Sequence, residues 1–178
     1  SQPWAPRELA PYYYEWLDHP DDDEYWRRWR IEDFYSEITA PSLNVGGWYD
    51  IFLLGTLRNF AGMRARGATE DARSGTRLVI GPWSHASVGA NQVATVDFGT
   101  RASVSGLNLD ELLFRWYDHW LRGADTGLLG EPPVKLFVMG DNVWRDENEW
   151  PLARSVGTRF YLHSDGRANT RNGDGRLS

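Results

Sequence analysis

Asp50 and His85 are the residues best placed for chemistry. They close two short phrases, Gly47-Trp48-Tyr49-Asp50 and Gly81-Pro82-Trp83-Ser84-His85, whose last residues stand thirty-five positions apart. Histidine can take and return a proton near neutral pH. A carboxylate beside it orients the ring and stabilises its cation. Such a pair serves acyl transfer when a nucleophile completes it. The third member is missing: no Gly-x-Ser-x-Gly occurs, and with no cysteine no thiol replaces it. Ser84 and Ser105-Gly106 lack the small-residue turn between a strand and a helix that an exposed Oγ requires. Taken alone, His85 at a strand end is as much a structural histidine as a base, and Asp50 also suits a helix N-cap for Ile51 onward.

Each phrase ends a run that reads as a buried parallel strand, at about 42–47 and 77–81, and open α/β sheets place their sites at strand C-termini. Between them Ile51, Leu54, Leu57 and Phe60 recur at helical spacing over 51–67, with Gly67 as the stop and a loop at 73–75. The run is a βαβ unit, with a right-handed crossover expected. Residues 1–37 are rich in Trp and Tyr, Trp4 among them, and Asp21 to Asp23 can cap a helix from Glu24 to Ile31. Residues 86–106 read as a long surface loop. Leu109 to Leu121 reads as a helix presenting Leu109, Leu112, Leu113, Trp116 and Trp120 on one face. Glu131-Pro132-Pro133 is linker-like, 134–139 and 158–163 read as strands, and 164–178 as a loose polar tail.

Composition narrows the function classes. With 41% hydrophobic and 14% aromatic residues among 178, the chain can bury a core. A net charge of −6 and a pI near 5.2 argue against nucleic acid, which selects a basic surface. The longest apolar stretch is far short of a membrane span, so no membrane partner is expected. The absence of cysteine fits a cytoplasmic protein and removes disulfides and thiolate metal sites.

The residues from Ala40-Pro41-Ser42-Leu43 through Gly47-Trp48-Tyr49-Asp50-Ile51-Phe52, followed by Leu78-Val79-Ile80-Gly81-Pro82-Trp83-Ser84-His85, resemble the cocaine esterase / X-Pro dipeptidyl-peptidase (CocE/NonD) family of α/β-hydrolase serine hydrolases. His19-Pro20-Asp21-Asp22, Tyr25-Trp26, Val96-Asp97-Phe98-Gly99, the stretch Phe114 to Leu121, Val138 to Trp144 and Trp150-Pro151 extend the likeness in the family's order. The resemblance implies an α/β fold in four parts. Residues 1–37 would end a helical cap, 38–125 would be the C-terminal part of the hydrolase core, 126–133 a linker, and 134–178 the incomplete start of a jelly-roll β-sandwich. It implies a chain cut at both ends, whose free sheet edges pair with the missing part of the chain or with a second copy.

Triad order in these hydrolases is Ser, Asp, His, so the resemblance makes Asp50 and His85 the catalytic acid and base of an enzyme cleaving a small ester or amide, with the nucleophile outside this chain. A carboxylate oxygen about 2.7–3.0 Å from imidazole Nδ1 is the expected charge-assisted geometry. Trp48, Tyr49 and Trp83 flank these positions and either wall a substrate pocket or pack the core. His119 suits a packed, hydrogen-bonded core histidine, His19 a turn closure, and His163 the end of a sandwich strand. None is spaced as a metal pair, and no metal or cofactor is expected. The acidic run 21–24 is a solvated helix start or an attractor for a cationic substrate amine. The rival reading is a non-catalytic fragment or binding module that keeps the hydrolase scaffold.

Overall fold

A computed structural model describes residues 7–178; Trp4 and the first six residues of the expected cap segment lie outside them. Two short helices open the chain, α1 (Pro11–Asp18) and α2 (Glu24–Arg27). Asp23 caps α2 by accepting from the Tyr25 amide at 2.9 Å, but the helix stops four residues short of Ile31. Neither helix buries a residue, and a short helix without a packed face has little to extend it. His19 closes the turn between them: Nδ1 lies 2.5 Å from Asp23 Oδ2 and the ring stacks on Tyr25. That hydrogen bond holds the Asp23 carboxyl below its ordinary range.

Strand β1 (Leu43–Tyr49), helix α3 (Leu53–Arg66), helix α4 (Glu70–Gly75) and strand β2 (Arg77–Ser84) follow. Helix α3 begins two residues later than periodicity suggests, because Asp50 first turns the chain by accepting from the Phe52 amide. Its inward face is therefore Leu53, Leu57 and Phe60, while Ile51 and Leu54 face outward. The 73–75 loop is instead the end of α4, which Thr69 caps by accepting from the Ala72 amide at 3.0 Å. Tyr35 ties the N-terminal stretch to α3. Its ring is buried beside Met63 and Ala72, its hydroxyl donates to Asn59 Oδ1 at 2.6 Å, and Gly62 leaves room where a Cβ would come 2.0 Å from the ring.

The 86–106 segment is more structured than a surface loop. It holds a hairpin, β3 (Gln92–Val93) with β4 (Val96–Asp97), and the one-turn helix α5 (Val104–Leu107), capped by Ser103. Phe98 and Ala102 are buried against Phe137, which is why its polar composition misleads. Helix α6 (Leu109–Arg122) matches its expected span and ends at Gly123 with φ +67°. Its Leu109, Leu112, Leu113, Trp116 and Trp120 are buried or half-buried, and Phe114, Tyr117 and Leu121 are exposed.

Beyond α6 the expected division fails. Strand β5 (Val134–Val138) does not open a separate sandwich; it pairs parallel with β2, and β6 (Val143–Glu147) pairs antiparallel with β5. The result is one mixed four-stranded sheet in the order β1–β2–β5–β6. Val134 and Leu136 join Phe60, Leu78 and Ile80 in the core under α3. The expected linker 126–133 is also held. Arg77, 5% exposed, donates through Nη1 to the Glu131 and Pro132 carbonyls at 2.7 and 2.9 Å and through Nη2 to the Leu128 carbonyl. Burial pushes the Arg77 pKa down, opposed by the Glu131 charge. A buried guanidinium whose two terminal nitrogens donate to three carbonyls, its Nε left without a partner, fixes a segment that composition alone marks as loose.

The last residues are not shapeless. Strands β7 (Leu162–His163) and β8 (Arg176–Leu177) pair antiparallel, with Ser164 donating to Asp174 Oδ1 at 2.7 Å. The strand expected over 158–163 shrinks to these two residues.

Arg77→Met should lower stability by about 3 kcal/mol, since three carbonyls lose a charged donor and that of Leu128 alone keeps the Glu131 amide at 3.1 Å. Urea denaturation followed by tryptophan fluorescence reads this as a lower midpoint at unchanged slope. A loss under about 1 kcal/mol would show that Leu128 packing alone holds the segment.

Candidate active site

Parallel pairing of β1 with β2 brings the two phrases side by side. Leu43 to Gly47 face Arg77 to Gly81 at an offset of thirty-four, and Tyr49 faces Ser84 at thirty-five. One residue of β1, Trp48, therefore lies opposite two of β2, Pro82 and Trp83. This is a β-bulge, and proline suits it because it has no amide to give the ladder. With the new offset, Asp50 and His85 leave their strands next to each other.

Imidazole Nδ1 of His85 lies 3.4 Å from Asp50 Oδ1 and 3.4 Å from Oδ2. This is longer than the expected 2.7–3.0 Å, though within the reach over which such contacts tighten when substrate binds. The Asp50 side chain is 9% exposed and that of His85 61%. The carboxylate is fixed from below: Oδ1 accepts from the Phe52 amide at 2.8 Å, while the Asp50 amide donates to the Gly47 carbonyl at 3.0 Å. Asp50 thus turns the chain into α3 and faces the imidazole at once. With Nδ1 toward the carboxylate, Nε2 is the nitrogen left for proton transfer. Phe52, given no role by the sequence reading, packs edge-on against the His85 ring at 4.8 Å between centroids. Its position two residues after the Asp was the available signal.

The aromatic neighbours separate. Tyr49 is 47% exposed, with its ring 6.0 Å from that of Phe98. Trp48 donates to the Phe137 carbonyl at 2.8 Å and tilts against Trp150. With Leu136, Met139 and Leu152 these two tryptophans line a cavity of about 310 Å³ that touches neither Asp50 nor His85. Trp83 is 0% exposed and cannot wall a pocket; it donates to the Ala102 carbonyl at 2.7 Å. The other histidines stand apart from the pair. His119 Nδ1 lies 3.0 Å from the Ala124 carbonyl and His163 Nε2 lies 2.7 Å from Ser178 Oγ. Ser84 Oγ is bonded to Ser87 Oγ at 2.7 Å. Among the described residues no group of three or more His, Cys, Asp or Glu could hold a metal ion.

The sequence profile of the X-Pro dipeptidyl-peptidase (S15) family matches residues 3–87, a span that includes both Asp50 and His85. Cocaine esterase of Rhodococcus sp. (strain MB1 Bresler) is 38% identical over 162 residues, covering 91% of this chain and 27% of that protein. Putative serine esterases of Mycobacterium bovis and Mycobacterium tuberculosis are 35% identical over 91 residues, 51% of this chain and 14% of each relative. The chain therefore spans about a quarter or less of these relatives' length. Among solved structures, an aminopeptidase from a marine sediment Thaumarchaeota archaeon superposes with a TM-score of 0.73 at 23% identity, over 90% of this chain and 26% of that one. A CocE/NonD family hydrolase from Staphylococcus aureus gives 0.53 at 19% identity, over 85% and 24%. These two likenesses concern the fold: a hydrolase-type mixed α/β sheet.

Asp50→Asn keeps an acceptor for the Phe52 amide and should leave the unfolding midpoint near that of the unaltered chain. Asp50→Ala removes the acceptor and should cost about 1 kcal/mol, as for a lost helix cap. Equal losses in the two variants, measured by urea denaturation, would mean that the negative charge stabilises the fold rather than the turn.

Proposed function

The chain belongs to the cocaine esterase / X-Pro dipeptidyl-peptidase (CocE/NonD) family, and on that footing we propose that it is part of a serine hydrolase cleaving an ester or amide bond, to which it supplies Asp50 and His85. The observation that carries the reading is the side-by-side exit of these two residues from adjacent parallel strands, with the Asp50 side chain largely covered and His85 open to solvent. The nucleophilic Ser and the oxyanion donors come from residues outside this sequence.

In this reaction the Ser hydroxyl attacks the acyl carbon while its proton passes to His85 Nε2. The imidazolium is held by the Asp50 carboxylate. As the tetrahedral intermediate collapses, His85 gives the proton to the departing alkoxide or amine, leaving an acyl-enzyme. Water then repeats the sequence: His85 takes its proton and returns it to Ser as the carboxylic acid leaves. Phe52 packs edge-on against the imidazole that makes this exchange. Tyr49 takes the place of a substrate-facing wall, whereas the roles expected of Trp48 and Trp83 pass to packing. By the same reading the described segment 7–37 ends a helical cap region, and a sandwich domain starts only after β6.

Stopped-flow hydrolysis of p-nitrophenyl acetate tests the proposal. A longer protein joining these residues to a Gly-x-Ser-x-Gly segment should show an acyl-enzyme burst, and the 178-residue chain none. In the longer protein Asp50→Asn should lower kcat about 10⁴-fold, and His85→Ala by about 10⁶-fold. Activity that survives His85→Ala removes His85 from the mechanism. His85-dependent turnover by the 178-residue chain would place a nucleophile within it, with Ser84 the first to test.

A further inference from the structure

We propose that Trp83 and Gly47 form a positioning device. Together they hold the bulge in β2 that sets His85 beside Asp50 and so selects the imidazole tautomer with its proton on Nδ1. This rests on the reading of Asp50 and His85 as a working pair and deepens it, because it names what holds the pair in register.

The bulge is built from both sides. On the β2 side Trp83 is sunk completely, and its indole N–H is spent on the Ala102 carbonyl at 2.7 Å. A second indole, Trp144, tilts against it at 5.8 Å and donates to the Arg101 carbonyl at 2.7 Å. Two tryptophans thus grip consecutive carbonyls of the 100–102 turn, and the extra residue of β2 cannot slide back into the ladder without withdrawing one of them. Gly81 lies under the indole, where a Cβ would come within 2.4 Å of the ring. On the β1 side the Trp83 carbonyl lies over Gly47, where a Cβ would come within 2.1 Å of the oxygen. That contact is backbone, so a side chain at Gly47 must push the bulge out.

Without the bulge the offset would stay at thirty-four, Asp50 would face Ser84, and His85 would move on by one residue. A single-residue slip also reverses which face a side chain takes. Trp83 itself is buried and touches no substrate, so it acts through His85. The chemical consequence is the tautomer: a carboxylate on the Nδ1 side favours Nδ1–H and leaves the Nε2 lone pair for the proton it must accept.

Long-range proton–nitrogen correlation spectra of the 178-residue chain, with ¹⁵N-histidine and at a pH of about 9 where imidazole is neutral, read the tautomer directly. His85→Ala assigns the signal. The unaltered chain should show His85 as Nδ1–H, and Asp50→Ala should lose that form in favour of Nε2–H. Gly47→Ala should give the Asp50→Ala pattern. Trp83→Phe, which keeps an aromatic ring but not the donor, should move toward the same pattern. Tyr35→Phe, which loses the hydroxyl bond to Asn59 from a ring buried in a separate core cluster, should leave the Nδ1–H signal in place. Retention of Nδ1–H in both Gly47→Ala and Trp83→Phe, with Asp50→Ala shifted, overturns the positioning role while leaving the Asp50–His85 pair intact. Loss of the signal in Tyr35→Phe also overturns it, because any core damage would then suffice. If Gly47→Ala does not fold, as judged by its indole proton resonances, Trp83→Phe alone decides by the same criterion. A tautomer unmoved by Asp50→Ala refutes the pairing itself, and with it the proposed function.

Discussion

Strand β2 is the constraint on which the rest depends. Arg77 to Trp83 are buried throughout, and β2 carries parallel partners on both sides, β1 and β5. A strand enclosed in this way has few acceptable registers, because a slip of one residue would carry its apolar side chains to the wrong faces. Its two ends then do different work. At the N-terminal end Arg77 binds the carbonyls that lead into β5 and so recruits the next strand. At the C-terminal end the chain delivers His85 to solvent.

Much of this was legible because buried parallel strands are continuous apolar runs. Leu78-Val79-Ile80 and the run ending at Gly46-Gly47 mark themselves, and the helical period over Leu109 to Leu121 does the same for α6. Asp50 and His85 were legible for the same reason, as ionisable residues at the ends of such runs. The bulge was not, since it resides in backbone pairing and Pro82-Trp83 reads equally well as part of a straight strand. The fate of Trp83 followed the same course: flanking a candidate base in sequence says nothing of which side of the sheet the ring takes. The domain boundary failed for a different reason. Glu131-Pro132-Pro133 has the composition of a linker, but its carbonyls are what a buried arginine at Arg77 needs, and that match spans more than fifty residues.

Polar groups in this molecule tend to serve two structural purposes at once. Asp50 gives one oxygen to the turn that starts α3 while its carboxylate faces His85. Glu147, at the end of β6, takes both guanidinium nitrogens of Arg154 and the Nε of Arg145, and the Arg154 contact holds its carboxyl below the ordinary glutamate range. That clamp keeps the 150–154 segment against the sheet, where Trp150 and Leu152 cover the core beneath α3. At Glu147 the charge is tolerated at low exposure because several donors converge on it.

The bulge also decides which changes in chain length this architecture can absorb over evolutionary time. The connection between α3 and β2, which includes α4, lies outside the ladder, so residues can be gained or lost there while the strand ends stay where they are. The spacing between Asp50 and His85 in the sequence is thus free to drift. Within Gly81 to Ser84 no such freedom exists, because one residue more or less would rotate His85 away from the carboxylate. Homologous chains of this architecture should therefore vary in the length of the α3–β2 connection and keep a constant count of residues from the first paired position of β2 to the histidine.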